Sequence, residues 1–526
     1  MVKRDTVKFN GGYQRISVYA ILFLGIGGYT VFFTALQVIK YRTLFTLNPI
    51  SLAGFNQVAI NTARGIPFYC SFSNDVFANN HFHLIFILLA LAYKIYPHIY
   101  TLFFCVSFAL GIGGVGIYLI TKKLFSSIRM GVFFFIVYLL SPVLHFINFV
   151  DFRPIVLSIP FFIFMVYFYM EEKFIPFFVF SSLFLMCQEH LAFCLMMFGI
   201  SSIFRRKSLQ WILMPIIYGG AWFIVTATII LPSLGYEIYR PLEDYFRGER
   251  NSLAHGCLWI LENPLAALKI MFSSSHISYL AMIVNPAIFS MAIFSPEILV
   301  FAFPTFLELL LRTDAYQFTP DLATTSISPI FVCLFLALVH SYKKIFTAVN
   351  SLKLPSAIQI GFKKIILLAL VSWTCTGNLG NNLIFDKNSR EKGVDIAEKF
   401  KRATNMFDPV FYTIEEDDYL AWRLISAIPV EASVATRGDL LPALSNRARL
   451  YEFGRVGFQK KEKEVGVGSY LLPDYIIFRR KTCFYGAYND EIDDAMALDF
   501  AHRLINEHTY NSVVENDTFV FLKRNP

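Results

Sequence analysis

The feature that most limits what this chain can become is a series of apolar stretches, each roughly 15–25 residues long, running from Ile16 to about Gly380. A helix of that length satisfies its own backbone and spans the hydrocarbon core of a bilayer, whereas water would leave its apolar surface unpaid. Only 16% of the residues are charged, against about a quarter in soluble chains. Beyond Gly380 the composition turns ordinary. The expected architecture is therefore a polytopic helical membrane domain over residues 1–385, followed by an α/β domain over residues 386–526.

The net charge of +8 does not point to nucleic acid, because the basic residues sit in short clusters beside the apolar stretches. These clusters are Lys3, Arg4, Lys8 and Arg15; Lys122, Lys123 and Arg129; Arg205, Arg206 and Lys207; and Lys343 to Lys364. Cytoplasmic loops carry such clusters. Placing them inside gives eleven spans, with the N-terminus in the cytoplasm and the 386–526 domain outside. The spans are read at about Ile16–Lys40, His98–Ile120, Met130–Ile147, Ile155–Met170, a hairpin of two over Phe174–Phe204, Leu209–Leu231, Ile277–Phe294, Ile298–Leu311, Ser326–His340 and Ile365–Gly380. The eight cysteines form no CxxC pair, and a disulfide among Cys70, Cys257 and Cys483 is left open. No Gly-rich phosphate loop follows any predicted strand, so nucleotide binding is not expected.

Three outer loops hold the unusual polar residues. The long loop at 41–97 carries Asn56, Gln57, Asp75, Asn79, Asn80 and His81, and it is too polar to span and too apolar for a linker. The loop after the third span carries His145, Asn148, Asp151 and Arg153, and the hairpin tip carries Gln188, Glu189 and His190. Ionisable groups at the ends of spans are costly to keep there and often line a functional cavity. If the loops converge, they assemble carboxylates and imidazoles that could hold a divalent metal or move a proton. The plainer reading of each residue is a neighbour ion pair, a solvated turn or an interfacial histidine.

Several runs recur in one order: Phe55-Asn56-Gln57, Asn80-His81-Phe82, Ser141-Pro142, Asp151-Phe152-Arg153-Pro154, Gln188-Glu189-His190, Ile428 to Val434 and Leu441 to Arg447. Together they resemble a family of predicted bacterial and archaeal polytopic membrane proteins of unassigned function, whose membrane part is similar to GT-C glycosyltransferases. The resemblance implies a site on the outer face of the cytoplasmic membrane, where a sugar is taken from a polyprenyl-phosphate carrier. It implies Asp151, Glu189 and Asp75 as catalytic acids, and Asn56, Gln57, Asn80, His81, Arg153 and His190 as substrate-binding residues. It also places a catalytic carboxylate six residues before Gln57, where this chain has Ser51, and acids where it has Asn56 and Asn80. Two functions follow from different classes. One is a lipid-phosphate-sugar transferase. The other is a catalytically degenerate subunit that serves as scaffold or lipid-binding partner in a membrane complex.

Overall fold

The computed structural model describes residues 5–46, 48–72, 81–233, 259–273, 291–311, 327–352, 354–379, 406, 409–453, 472–480 and 490–526. The chain opens on a long helix α1 (Asp5–Arg42), then α2 (Pro49–Ala63) and α3 (Phe86–Ile95). It continues through α4 (Tyr100–Phe125), α5 (Ile128–Leu139), α6 (Pro142–Phe149), a 3₁₀ turn at Pro154–Leu157 and α7 (Ser158–Met170). Next come α8 (Phe174–Leu185), α9 (Leu191–Phe204) and α10 (Leu209–Val225).

α4 is the hub of the bundle, and glycine makes it so. A Cβ on Gly113 would fall 2.5 Å from the Tyr138 hydroxyl, and one on Gly116 would fall 2.5 Å from Ile163. Hydrogen on those Cα atoms lets α5 and α7 approach the α4 backbone, the usual basis of close packing between helices in lipid. The Tyr138 hydroxyl then donates to the Leu110 carbonyl at 3.1 Å. Tyr19, Phe23, Leu24 and Val31 of α1 remain exposed, as lipid-facing side chains do.

Among the described residues, four helices are long and apolar enough to cross a membrane, and five if one broken helix is counted. The broken one is α5 with α6, bent by 45°. The sequence pattern reads it as one straight span. Pro142 has no N–H to donate and forces Ser141 extended (φ −62°, ψ 123°), so the helix stops and restarts. α8 and α9 hold only 12 and 14 residues, about 18 and 21 Å of helix against roughly 30 Å of hydrocarbon. The segment expected as a basic loop after His340 is instead helical: one helix runs from Ser328 to Ser351 and another from Ser356 to Leu379. Most of the span expected at Ile277–Phe294 lies outside the described residues.

In the C-terminal part, strands β1 (Val434–Thr436), β2 (Leu450–Glu452), β3 (Tyr475–Arg479), β4 (Tyr510–Glu515) and β5 (Phe519–Arg524) form one sheet in the order β2-β1-β3-β5-β4. β1 runs parallel to β2 and β3, and β5 runs antiparallel to β3 and β4. Strand period 2 splits the side chains between two cores. Val434, Ile477, Phe519 and Phe521 face the helix Glu416–Ser426 and Ala53 of α2. Ala435, Ile476, Phe478, Val520 and Leu522 face Ala497, Ala501 and Leu504 of the helix Asp490–Asn506. The sheet thus packs on the loop helix α2 through one of its faces.

At the end of β3, Arg479 is shared by two carboxylates, Nη2 with Asp418 and Nε with Asp439, each at 2.6 Å. Burial, opposed by Arg479 and helped by Asp418, pushes the Asp439 carboxyl up to about 6. Its folded value lies above the ordinary value of about 3.9, so the fold binds more protons than the unfolded chain between about 4 and that raised value. The contribution is present below that window and is lost as pH rises through it. Apparent melting temperature measured against pH should therefore fall less steeply across this window in Asp439→Asn than in the parent protein. Parallel curves would show that Asp439 does not titrate there.

Candidate active site at the outer loop

Residues 81–85 run beside the turn that joins α8 and α9, in the opposite chain direction. The Ile85 N–H donates to the Met186 carbonyl at 2.9 Å, and His83 Nδ1 donates to the Cys187 carbonyl at 2.6 Å. The Phe82 N–H donates to Glu189 Oε2 at 2.8 Å, and His81 Nδ1 lies 2.6 Å from Glu189 Oε1. This pairing brings the first loop and the hairpin tip together, as the sequence pattern anticipates.

The Glu189 carboxylate is fully buried, while the His81 side chain keeps 18% of its surface. Burial alone would push the Glu189 carboxyl up. His81, through charge and hydrogen bond, outweighs it with help from His190 and His83, and Glu189 is held below the usual carboxylate range. A carboxylate can only accept, so His81 carries a proton on Nδ1, and in the neutral ring Nε2 is the base or ligand. Burial brings His83 down to about 3, with His81 adding to the effect, so its imidazole is neutral. His190 lies beside the pair, its ring 6.1 Å from that of His81 and its Nε2 3.7 Å from Glu308 Oε2. Arg153 is buried with its guanidinium 5.9 Å from the Phe55 ring, and the His83 ring lies 5.7 Å from the same Phe55 ring.

Asp151 belongs to a different cluster. Its Oδ1 lies 3.1 Å from Lys40 Nζ and its Oδ2 accepts from the Asn48 N–H at 2.7 Å. Lys40 also donates to the Phe149 carbonyl at 2.7 Å. Asn48 in turn caps α2, its side chain accepting from the Ser51 N–H at 3.0 Å. One turn deeper, Asn148 accepts from Gln37 at 2.9 Å and from Ser107 at 3.2 Å and donates to the Tyr29 hydroxyl. Asp151 therefore ties the end of α1 to the start of α2 as an ion-paired carboxylate, a setting that suits a lock better than a base.

Asn56 and Gln57 are wholly buried and face the C-terminal sheet. Asn56 donates to Ser445 Oγ at 2.7 Å and to Asn446 Oδ1 at 2.9 Å, and accepts from the Tyr93 hydroxyl. Gln57 donates to the Arg447 carbonyl at 2.8 Å. These amides, read from sequence as substrate-binding, hold α2 to the segment after the short helix Leu440–Leu444. Asp75 and Asn80 lie outside the described residues. Cys70 is buried, and Cys257 and Cys483 also lie outside them.

A family model described as "Predicted membrane protein (DUF2079)" matches residues 44–477. The chain belongs to that family. The match takes in the His81–Glu189 pair, Asp151 and the parallel part of the sheet. No curated protein matches the chain. Among solved structures, the chain is similar to ArnT from Cupriavidus metallidurans in the apo state (TM-score 0.45, 10% identity). It is likewise similar to ArnT from the same organism bound to undecaprenyl phosphate (TM-score 0.47, 10% identity). Each alignment covers 94% of this chain and 98% of that one.

Two residues of this family member escape sequence reading. Lys40 reads as the last residue of a span, and nothing local shows that it folds onto Asp151. Glu308 is legible in principle, as a lone acid in an apolar helix. His81, Glu189 and His190 offer ligand atoms within 4.8 Å of one another, and two imidazoles with a carboxylate suit a borderline transition metal.

The lock has a measurable signature. Lys40→Met leaves the Asp151 carboxylate buried without its cation and should destabilise the protein by about 3–5 kcal/mol. Lys40→Met combined with Asp151→Leu should recover much of that loss. A double-mutant cycle by thermal or denaturant unfolding checks it, and additive losses would mean the two groups do not couple.

Proposed function

We propose that this membrane protein is a GT-C-like glycosyltransferase that takes a sugar from a polyprenyl-phosphate carrier, with His81 as its proton acceptor. The observation that carries the reading is the buried Glu189–His81 pair, in which only the imidazole reaches the surface. Both Glu189 oxygens are engaged, by His81 and by the Phe82 N–H, so Glu189 orients and charges the imidazole instead of meeting substrate. His81 Nε2 takes the proton of an acceptor hydroxyl. The freed oxygen forms the new bond to the anomeric carbon, and the old bond from that carbon to phosphate breaks. The phosphate leaves on its lipid as polyprenyl phosphate. Arg153, buried beside the Phe55 ring that His83 also meets, is the cation for that phosphate. Family resemblance in the motif runs supports the carrier class.

In this reading the domain at 1–385 holds the site in the cytoplasmic membrane of a bacterium or archaeon, and the one at 386–526 lies outside over the 41–97 loop. The clustering of Lys and Arg beside the apolar stretches puts Arg205 inside and Val430 outside. In a cysteine-depleted protein, an impermeant thiol reagent should label Val430→Cys and miss Arg205→Cys in intact cells. The opposite pattern ends the outward assignment.

The reaction is tested in proteoliposomes supplied with polyprenyl-phosphate pentoses and hexoses labelled in the sugar. His81→Gln and Glu189→Gln should each lower release of labelled sugar from the carrier by about 10²-fold or more with the melting temperature kept. Unchanged turnover in both variants removes His81 as base. A second reading, a non-catalytic subunit, is favoured by Ser51 and Asn56 standing where the resemblance implies acids. It predicts no turnover with any donor, silent His81→Gln and a stoichiometric membrane protein partner on purification.

A further inference from the structure

The two helices found where the sequence pattern expects a basic loop hold its lysines in fixed places. Ser328–Ser351 and Ser356–Leu379 run side by side. The Tyr342 hydroxyl donates to the Ile366 carbonyl at 3.4 Å, and Lys363 Nζ donates to Asn350 Oδ1. Gln359 Nε2 closes the turn by donating to the Leu352 carbonyl at 2.9 Å and the Leu354 carbonyl at 3.1 Å. Lys343 Nζ lies 5.6 Å from the centre of the Phe125 ring, and Lys363 Nζ lies 5.7 Å from that of Phe346. Those two rings meet edge to face with centres 5.8 Å apart. One lysine from each helix is thus set against a single aromatic pair.

Phe125 is the last residue of α4, at the end of the bundle away from His81 and Glu189. Lys123 beside it donates to the Met170 carbonyl at 2.8 Å, where α7 hands over to α8, and the Glu189 turn lies at the other end of α8. The carboxylates near the aromatic pair are already engaged. Glu171 pairs with Lys123 at 2.7 Å, Glu172 with Lys207 at 3.1 Å and Glu297 with Lys344 at 2.8 Å. Among the described residues, no carboxylate pairs with Lys343 or Lys363. An ammonium carries three donors, and a ring face meets it from one side only. From Lys363 towards the span, the second helix leaves Phe362, Ile365 and Leu368 exposed, at spacings that keep them on one side. A soluble anion would meet the lysines and leave that apolar strip bare.

We propose that Lys343 and Lys363 hold the phosphate of an anionic phospholipid whose acyl chains lie along Phe362, Ile365 and Leu368. Basic groups between helices, level with the lipid headgroups, recognise such lipids by charge, and the apolar strip takes the chains. The aromatic pair fixes where the two ammonium groups stand, so the site is built before the lipid arrives. It lies apart from the His81–Glu189 pair and stands whether or not the protein transfers sugar.

The test uses the full-length protein in detergent, with phosphatidylglycerol and phosphatidylcholine of the same chain length as probes. Bound lipid is counted by native mass spectrometry across a titration at low salt. Phosphatidylglycerol should bind in preference to phosphatidylcholine. Lys343→Gln and Lys363→Gln should each weaken its binding by about 5-fold, and the pair together by about 25-fold. Lys343→Arg should bind as the parent does, which reads the charge even if a glutamine variant folds poorly. Lys94→Gln, on α3 beyond the His81 segment, should change nothing. Glycerol phosphate, which has the head without the tails, should fail to displace the lipid. Equal uptake of the two lipids overturns the proposal, as does full binding in the double glutamine variant or an equal loss in Lys94→Gln. Displacement by glycerol phosphate would mark a free-anion site and overturn it too.

Discussion

An anion wholly removed from water is the condition on which the candidate site rests. Glu189 has no exposed surface, and a bare carboxylate there would take up a proton. It stays charged because one oxygen faces the His81 imidazole and the other a backbone N–H, both delivered by residues 81–82. Holding those donors in place requires the neighbouring backbone contacts, Ile85 to Met186 and His83 to Cys187. The turn between α8 and α9 is thus fixed by its partner segment as much as by its own helices. The helices themselves are too short to set its depth in a bilayer.

A second polar set obeys the same rule and serves position instead of chemistry. Lys40, Asp151, Asn148, Gln37, Ser107 and Tyr29 are all buried, and each makes hydrogen bonds to others in the set. The bend at Ser141-Pro142 makes this possible. A straight helix would carry Asn148 along the α5 axis, whereas the 45° break turns it and Asp151 back to α1. Charge and amide groups in that column specify how α1, α4 and α6 meet, in a solvent where apolar contact alone discriminates poorly.

Much of this was legible in the residues. The strands and helices after residue 409 form a mixed sheet with helices packed on its faces, the α/β character expected of that part. The meeting of His81 with Glu189 was also legible, because both fall in outer loops of the charge-derived topology. What could not be read was the sorting of the polar residues. Asp151, Asn56 and Gln57 look like site residues by type and place, yet their partners, Lys40, Asn48 and Ser445 to Arg447, come from distant parts of the chain. Pattern reports what a side chain offers, and only the fold reports who takes it. Helix length was misread for a related reason: a single proline decides where α5 ends, and mean hydropathy averages across it.

Ser71 carries a consequence for how the chain divides. Among the described residues β2 is an edge strand, and edge strands offer unpaired N–H and C=O groups to any passing strand. Here the Leu450 N–H donates to Ser71 Oγ at 2.9 Å, and the same hydroxyl donates to the Leu450 carbonyl at 2.7 Å. One side chain of the first loop thus plays the part of a sixth strand, while Ala53 and Leu44 close the apolar face beside it. Severed from the helices, the sheet would expose a raw edge and an oily flank together. The C-terminal part is therefore a cap made to its vessel, and its inheritance as a free-standing soluble module would demand a new edge residue and a new face.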